Sequence, residues 1–130
     1  MDPANNAIKN FSKTLGSRGF RRFSPDNIAN ELLEVEICIS SGERTLSRDY
    51  GADATNIEIY ARPDEEYIRF VQIAPIRSRA AIAYSEVKVS GERPGHKTLY
   101  GIVGENGRLS SEHVSTPVIM AELFSEKIPA

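Results

Sequence analysis

Five cations and three phenylalanines crowd the stretch KNFSKTLGSRGFRRF, which runs from Lys9 to Phe23. The cations are Lys9, Lys13, Arg18, Arg21 and Arg22; the rings are Phe11, Phe20 and Phe23. Lysine and arginine neutralise phosphates or carboxylates, and aromatic rings can stack on bases. The stretch therefore fits two kinds of partner: an acidic protein surface, or single-stranded nucleic acid. Two features pull toward protein. Phe11 also belongs to a helical apolar stripe, and Phe20 and Phe23 can serve simply to pin a connector to a core. The balance of the chain is acidic besides, with a net charge of −2, unlike a dedicated nucleic-acid binder.

A second group is Arg44, Arg48, Asp49, Tyr50 and Asp53, with Arg77 and Arg79 as candidate neighbours. Arginine and tyrosine are enriched at interface hot spots. Arginine forks also bind carboxylate or phosphate. These residues suit a binding loop or a small-molecule anion site, and equally a solvated charged loop.

Other chemistries find little footing. His96 and His113 could approach across a hairpin, but the chain has no HExxH, no CxxC and no calcium-loop pattern. No metal and no cofactor are expected. The spelling G-x-S-x-G is absent, and the single cysteine, Cys38, has no base beside it in sequence. Cys38 is expected to be a buried core residue in a reducing compartment. The run Gly101, Gly104, Gly107 is not a phosphate loop. The stretch GENG at residues 104–107 matches the spelling of a helix-joining clamp but reads as a hairpin turn. Glu65 and Glu66 sit in a proline-led turn and are expected to face water.

These residues must be held by a small core. The chain has 130 residues, 40% of them hydrophobic and 26% charged, which fits one globular domain rather than a disordered chain. No run of apolar residues is long enough to span a membrane. There is no apolar leader at the N-terminus, so a cytoplasmic location is expected. Charge is unevenly placed. Residues 1–24 carry a net +4 and residues 25–130 a net −6. Such asymmetry marks an interaction arm, or a basic segment lying on its own acidic body.

Asp2-Pro3 predicts a helix start, by cap and first-turn proline. Ala4, Ile8, Phe11 and Leu15 form its stripe, and Gly16 is its expected stop. Residues 17–23 read as a connector. Ser24-Pro25 repeats the start signal and predicts a short second helix over residues 25–33. Residues 34–40 alternate, with Val35, Ile37 and Ile39 on one side, and predict a strand. Ser41-Gly42 then reads as a turn, and residues 43–55 as a long irregular loop.

The densest strand signal lies between residues 56 and 90. Residues 56–62 alternate, and Pro63 breaks them. Residues 67–74 are apolar on both sides, which predicts a central strand ended by Pro75. Residues 79–90 mix alanines with valines. They are read as a strand with a bulge near Ser85, because the apolar phase slips there. Residues 97–103 form a further strand. Asn106-Gly107 predicts a tight hairpin turn with a return strand over residues 108–114. Ser115-Thr116-Pro117 starts a C-terminal helix, VIMAELFSEK, apolar nearly all round.

The expected architecture is a two-layer α+β fold. An antiparallel meander of five to six strands carries two N-terminal helices and one C-terminal helix. Residues 1–23 are expected to form a helix and basic arm, and residues 24–130 a single α+β domain. The leading functional reading is a non-enzymatic protein-binding or assembly protein. It engages a protein partner, or a second copy as a homo-oligomer, through the terminal helices and the basic segment, without membrane insertion. Removing residues 1–23 is then expected to abolish association and leave the sheet folded. The alternative is nucleic-acid binding through residues 9–23. The third is a small enzyme with its site near residues 43–55.

Overall fold

The computed structural model describes residues 2–23, 33–64, 66–88, 96–110 and 115–124. Its centre is a five-stranded antiparallel sheet in sequential order, β1-β2-β3-β4-β5. The strands are β1 (Arg21–Arg22), β2 (Glu58–Pro63), β3 (Tyr67–Ile76), β4 (Arg79–Lys88) and β5 (His96–Val103). Three helices pack on it: α1 (Pro3–Ser17), α2 (Leu33–Asp49) and α3 (Thr116–Phe124). The α+β class and the antiparallel meander expected from the sequence are therefore what the chain forms. Among the described residues, no helix is long and apolar enough to cross a membrane.

Strand parity divides the core in two. On one face Tyr60, Val71, Ile73, Ile82, Tyr84 and Val103 pack beneath Ala7, Ile8, Phe11 and Leu15 of α1 and Ile119 and Leu123 of α3. On the other, Ile59, Ala61, Phe70 and Val87 meet Val35, Cys38 and Ile39 of α2. Further along that face, Leu46 of α2 rests on Ala74, Ala81 and Ala83. Helices thus cover both faces, and the fold has three layers rather than two. The cause is in β3 and β4, whose residues are buried at both parities; a strand apolar on both sides needs cover on both. The alanines of β4, which lean toward helix in isolation, are the low floor on which α1 and α2 approach.

The N-terminal helix starts as its sequence predicts. The Asp2 carboxylate accepts from the Ala4 amide at 3.0 Å. It runs one residue past Gly16, to Ser17, and Gly19 supplies the left-handed turn (φ +87°) that follows. The second helix lies elsewhere than expected. Residues 33–49 are helical, so the strand over 34–40, the turn at Ser41-Gly42 and most of the loop over 43–55 are not formed. Val35, Cys38, Ile39, Gly42 and Leu46 are all buried. They recur at three- and four-residue spacing, the stripe of a helix. The predicted helix over 25–33 lies outside the described residues, Leu33 excepted. Only residues 50–57, which include a single 3-10 turn at Ala54–Asn56, link α2 to β2. Asp53 caps that turn. The Thr55 amide and then its hydroxyl donate to the carboxylate, holding it below the usual carboxylate range.

β4 pairs with β3 without interruption from Arg79 to Lys88, so there is no bulge at Ser85. The apolar phase slips in sequence simply because both faces are buried. Pro75 lies inside β3, opposite Ala80, and does not end it. Pairing with β2 stops at Ile73, so β3 is an edge on that side at Pro75. In a two-residue hairpin the second pair from the turn exchanges no hydrogen bonds, and the missing proline N–H costs nothing. The turn at 104–107 forms, in another type than the sequence suggests. The Gly107 amide reaches the Gly104 carbonyl at 2.8 Å, and only Gly107 (φ +81°) is left-handed. This is a type I turn followed by a left-handed glycine. The described part of the return consists of one bridge, Leu109 to Val103. Residues 111–114 lie outside the described residues.

Candidate functional site

The residues between Lys9 and Phe23 part company in three dimensions. Phe11 and Phe20 are fully buried in the core beneath α1. Phe23 is half-buried and meets Phe70 edge-on, with ring centroids 5.5 Å apart. The rings are therefore part of the packing, as the apolar stripe through Phe11 already hinted. Arg21 is held close to home by its side chain, and Arg18 by its backbone. One guanidinium nitrogen of Arg21 donates to the Phe20 carbonyl at 3.0 Å and the Gly16 carbonyl at 3.3 Å. The backbone N–H of Arg18 caps α1, and its carbonyl accepts from Arg62 at 2.8 Å. Arg62 in turn lies over the Phe20 ring at 4.8 Å. This knot ties the end of α1 to β2.

Lys9, Lys13 and Arg22 converge. Lys9 and Lys13 are four residues apart on the exposed side of α1 and, among the described residues, have no ion-pair partner. They rim a groove of about 480 Å³ between α1 and β2, with Asn5, Ser12, Glu58 and Tyr60. The groove continues past Ile8 and Glu58 into a second section of about 610 Å³, reached by Arg22 and Asp2. Arg22 pairs with Glu58 and lies over the Tyr60 ring at 5.5 Å. The Tyr60 hydroxyl donates to Glu58 at 3.2 Å. The pairing between β1 and β2, Arg22 opposite Tyr60, sets this end of the groove. Ile8 gives it an apolar floor. A cationic rim over such a floor is suited to a carboxylate-bearing chain, with Glu58 as the internal acid that an incoming acid would replace on Arg22.

The second predicted group is also divided. Arg44, Arg48 and Asp49 stand exposed on α2 rather than in a loop. Tyr50, just beyond, is half-buried and stacks on Tyr100 with centroids 6.0 Å apart. Burial, then the Tyr100 hydroxyl and the Asp49 carboxylate, push the Tyr50 phenol above its ordinary range. Tyr50 does meet Arg77 and Arg79, across a cavity of about 570 Å³. Arg44 and Arg48 do not line that cavity.

One charged cluster escaped the sequence reading. Arg69 of β3 pairs with Asp64 and, at 3.6 Å, with Glu86 of β4; Lys97 of β5 reaches Glu86 at 3.6 Å. The Tyr84 hydroxyl donates to Glu86 at 2.5 Å. The side chains of Arg69 and Glu86 are each only 12% exposed. The cross-strand pairs Arg69–Glu86 and Glu86–Lys97 bring them together. Only a known register could have revealed them, since the residues are far apart in sequence. The cluster clamps three strands. No group of three or more histidine, cysteine or acidic side chains able to hold a metal occurs among the described residues. His96 is exposed at the start of β5, and His113 lies outside the described residues.

Fold and groove thus define a three-layered α+β protein with a cationic cleft on one helical face. No protein-family model, no curated protein and no solved structure matches the chain. Function is therefore read from the chemistry of the groove.

Proposed function

We propose that the chain is a non-enzymatic protein-binding or assembly protein that holds an acidic segment of its partner in the groove between α1 and β2. The observation that carries this reading is the convergence of Lys9, Lys13 and Arg22 on one cleft. Lys9 and Lys13 have no ion-pair partner among the described residues, and Arg22, paired with Glu58, would exchange that acid for one of the partner's. The partner is another protein or a second copy of the chain, whose residues 25–130 carry a net −6. Nucleic acid ranks lower for a specific reason. Phe11 and Phe20, which would stack on bases, are 1% exposed, and stacking supplies much of single-strand affinity.

The test uses the full chain after nuclease treatment, with a labelled oligoglutamate peptide and an oligothymidylate of equal charge. The peptide is expected to bind saturably, to weaken as salt rises, and to be lost in Lys9→Glu/Lys13→Glu. Light scattering on the same samples reports self-association. Tighter binding of the oligothymidylate, with a steep salt dependence, would put nucleic acid first. Peptide binding that is indifferent to both lysine substitutions would refute the groove.

A further inference from the structure

A cationic groove takes an acidic segment, and the chain itself presents one on a hairpin tip. β2 and β3 pair as far as Pro63 and Ile68. The Asp64 amide then donates to the Tyr67 carbonyl at 2.8 Å and closes the hairpin. Between Asp64 and Tyr67 the chain holds only Glu65, which lies outside the described residues, and Glu66. Glu66 is exposed, and its side chain makes no ion pair or hydrogen bond among the described residues. Asp64 is spent on the turn. Its Oδ1 accepts from the Glu66 and Tyr67 amides at 2.9 and 2.8 Å, and its other oxygen pairs with Arg69. Glu66 is thus carried on a backbone that is already fixed, which lowers the ordering cost of binding.

The tip cannot serve its own groove. Glu58, at one end of β2, lines the groove, and Pro63, at the other, leads into the turn. The six residues of β2, each advancing about 3.3 Å, hold tip and groove roughly 17 Å apart. A second copy is free of that restriction. Turned end for end beside the first, it brings its tip to the first copy's Lys9 and Lys13, and its groove to the first copy's tip. Two-fold symmetry makes the two contacts equivalent. Glu36 and Asp49, also exposed, belong to α2 on the other face of the sheet. One two-fold interface cannot join opposite faces, so these acids do not exchange in the same way.

We propose that the occupant of the groove is the β2–β3 turn of a second copy, with Glu66 and its neighbour Glu65 set against Lys9, Lys13 and Arg22 in a reciprocal dimer. This assignment rests on the groove reading and supplies its partner. The incoming acid takes the place of Glu58 on Arg22, and charge complementarity fixes the register of the two copies.

The experiment is sedimentation equilibrium on the full chain, after nuclease treatment, over a range of concentrations at low and at moderate salt. The parent is expected to show a monomer–dimer equilibrium that weakens as salt rises. Glu65→Lys/Glu66→Lys and Lys9→Glu/Lys13→Glu are each expected to weaken dimerisation by about tenfold or more. An equimolar mixture of the two variants is expected to regain the dimer, because their reversed charges complement one another; a merely destabilised fold would not. Circular dichroism melts verify the fold of each variant, and Glu65→Gln/Glu66→Gln, which removes charge alone, is expected to weaken the parent dimer as well. A parent that is monomeric throughout, a dimer indifferent to the turn substitutions, or a mixture no more associated than its components would overturn the proposal. Labelled oligoglutamate separates that failure from failure of the groove. If it still binds the parent and is lost in Lys9→Glu/Lys13→Glu, the groove stands and its occupant is another protein.

Discussion

Asp64 illustrates how much a single side chain can do at a turn. Its Oδ1 accepts from the Glu66 and Tyr67 amides at 2.9 and 2.8 Å, and its other oxygen pairs with Arg69. Partial burial pushes this carboxyl up, but the Tyr67 and Glu66 amides and the Arg69 guanidinium outweigh it and hold it below the usual range. The sign follows. A lowered folded value stabilises the protein above the unfolded carboxyl range, near pH 4, and the contribution is lost as pH falls through the folded value. Asp64→Asn is therefore expected to be less stable than the parent at pH 7, with the gap closing at pH 3. Urea titrations at both pH values check this, and an equal gap at both would contradict it. Residue types were legible here: Pro63-Asp64 announces a turn. The pairing with Arg69 was not, because it depends on which strand comes back alongside. The same limit applied to the phenylalanines. Spacing placed Phe11 on a stripe, but only the packed sheet decided that Phe20 is core and that Lys9 and Lys13 are rim.

At the scale of elements, α2 is the instructive case. Val35, Ile37 and Ile39 alternate with glutamates, a strand pattern over seven residues. The competing helical pattern, through Cys38, Gly42 and Leu46, needs a longer window to be seen. The structure follows the longer pattern and leaves Ile37 41% exposed. Gly42 looked like a turn residue; it sits inside the helix for a packing reason. A Cβ there would stand 1.9 Å from Gln72 Oε1 of β3. Gln72 is 1% exposed and donates to the Ile39 carbonyl at 3.0 Å, so it has nowhere to swing. Alanine in a helix gains about 1 kcal/mol over glycine, whereas overpacking costs about 1–3 kcal/mol. Gly42→Ala is thus expected to destabilise the protein in chemical denaturation, and less so in a Gln72→Ala background, where the space exists. A Gly42→Ala protein more stable than its parent would mean that α2 does not approach β3 this closely. Gly107 has a similar role at the 104–107 turn, where a Cβ would meet Asn10 Cβ at 2.6 Å. Asn10 in turn donates to the Glu105 carbonyl at 2.9 Å, fastening α1 to the turn.

At the scale of the molecule, residues 2–23 pack as part of the body. Phe11, Leu15 and Phe20 lie in the same cluster as Val71, Ile73 and Ile82, and Arg21 and Arg22 add a strand to the sheet. Truncating one buried large side chain costs about 2–5 kcal/mol, against a total stability of about 5–15 kcal/mol for a domain. Deleting residues 1–23 is therefore expected to unfold the sheet, with loss of amide dispersion and of a cooperative thermal transition. A shortened chain that keeps both would mean the segment is a separable arm after all. The apolar face of α1 is spent on its own sheet, and Lys9 and Lys13 stand exposed on its other side. The sequence by itself determined the α+β class, the extent of α1 and the meander over residues 58–103. Those follow from local periodicity and from cap and turn chemistry, which act over a few residues. Tertiary structure alone decided that α2 is a helix, that the sheet is covered on both faces, and that Lys9, Lys13 and Arg22 share a groove while Arg77 and Arg79 share a cavity. Each of these depends on contacts between segments distant in the chain, where burial and close approach override local preference.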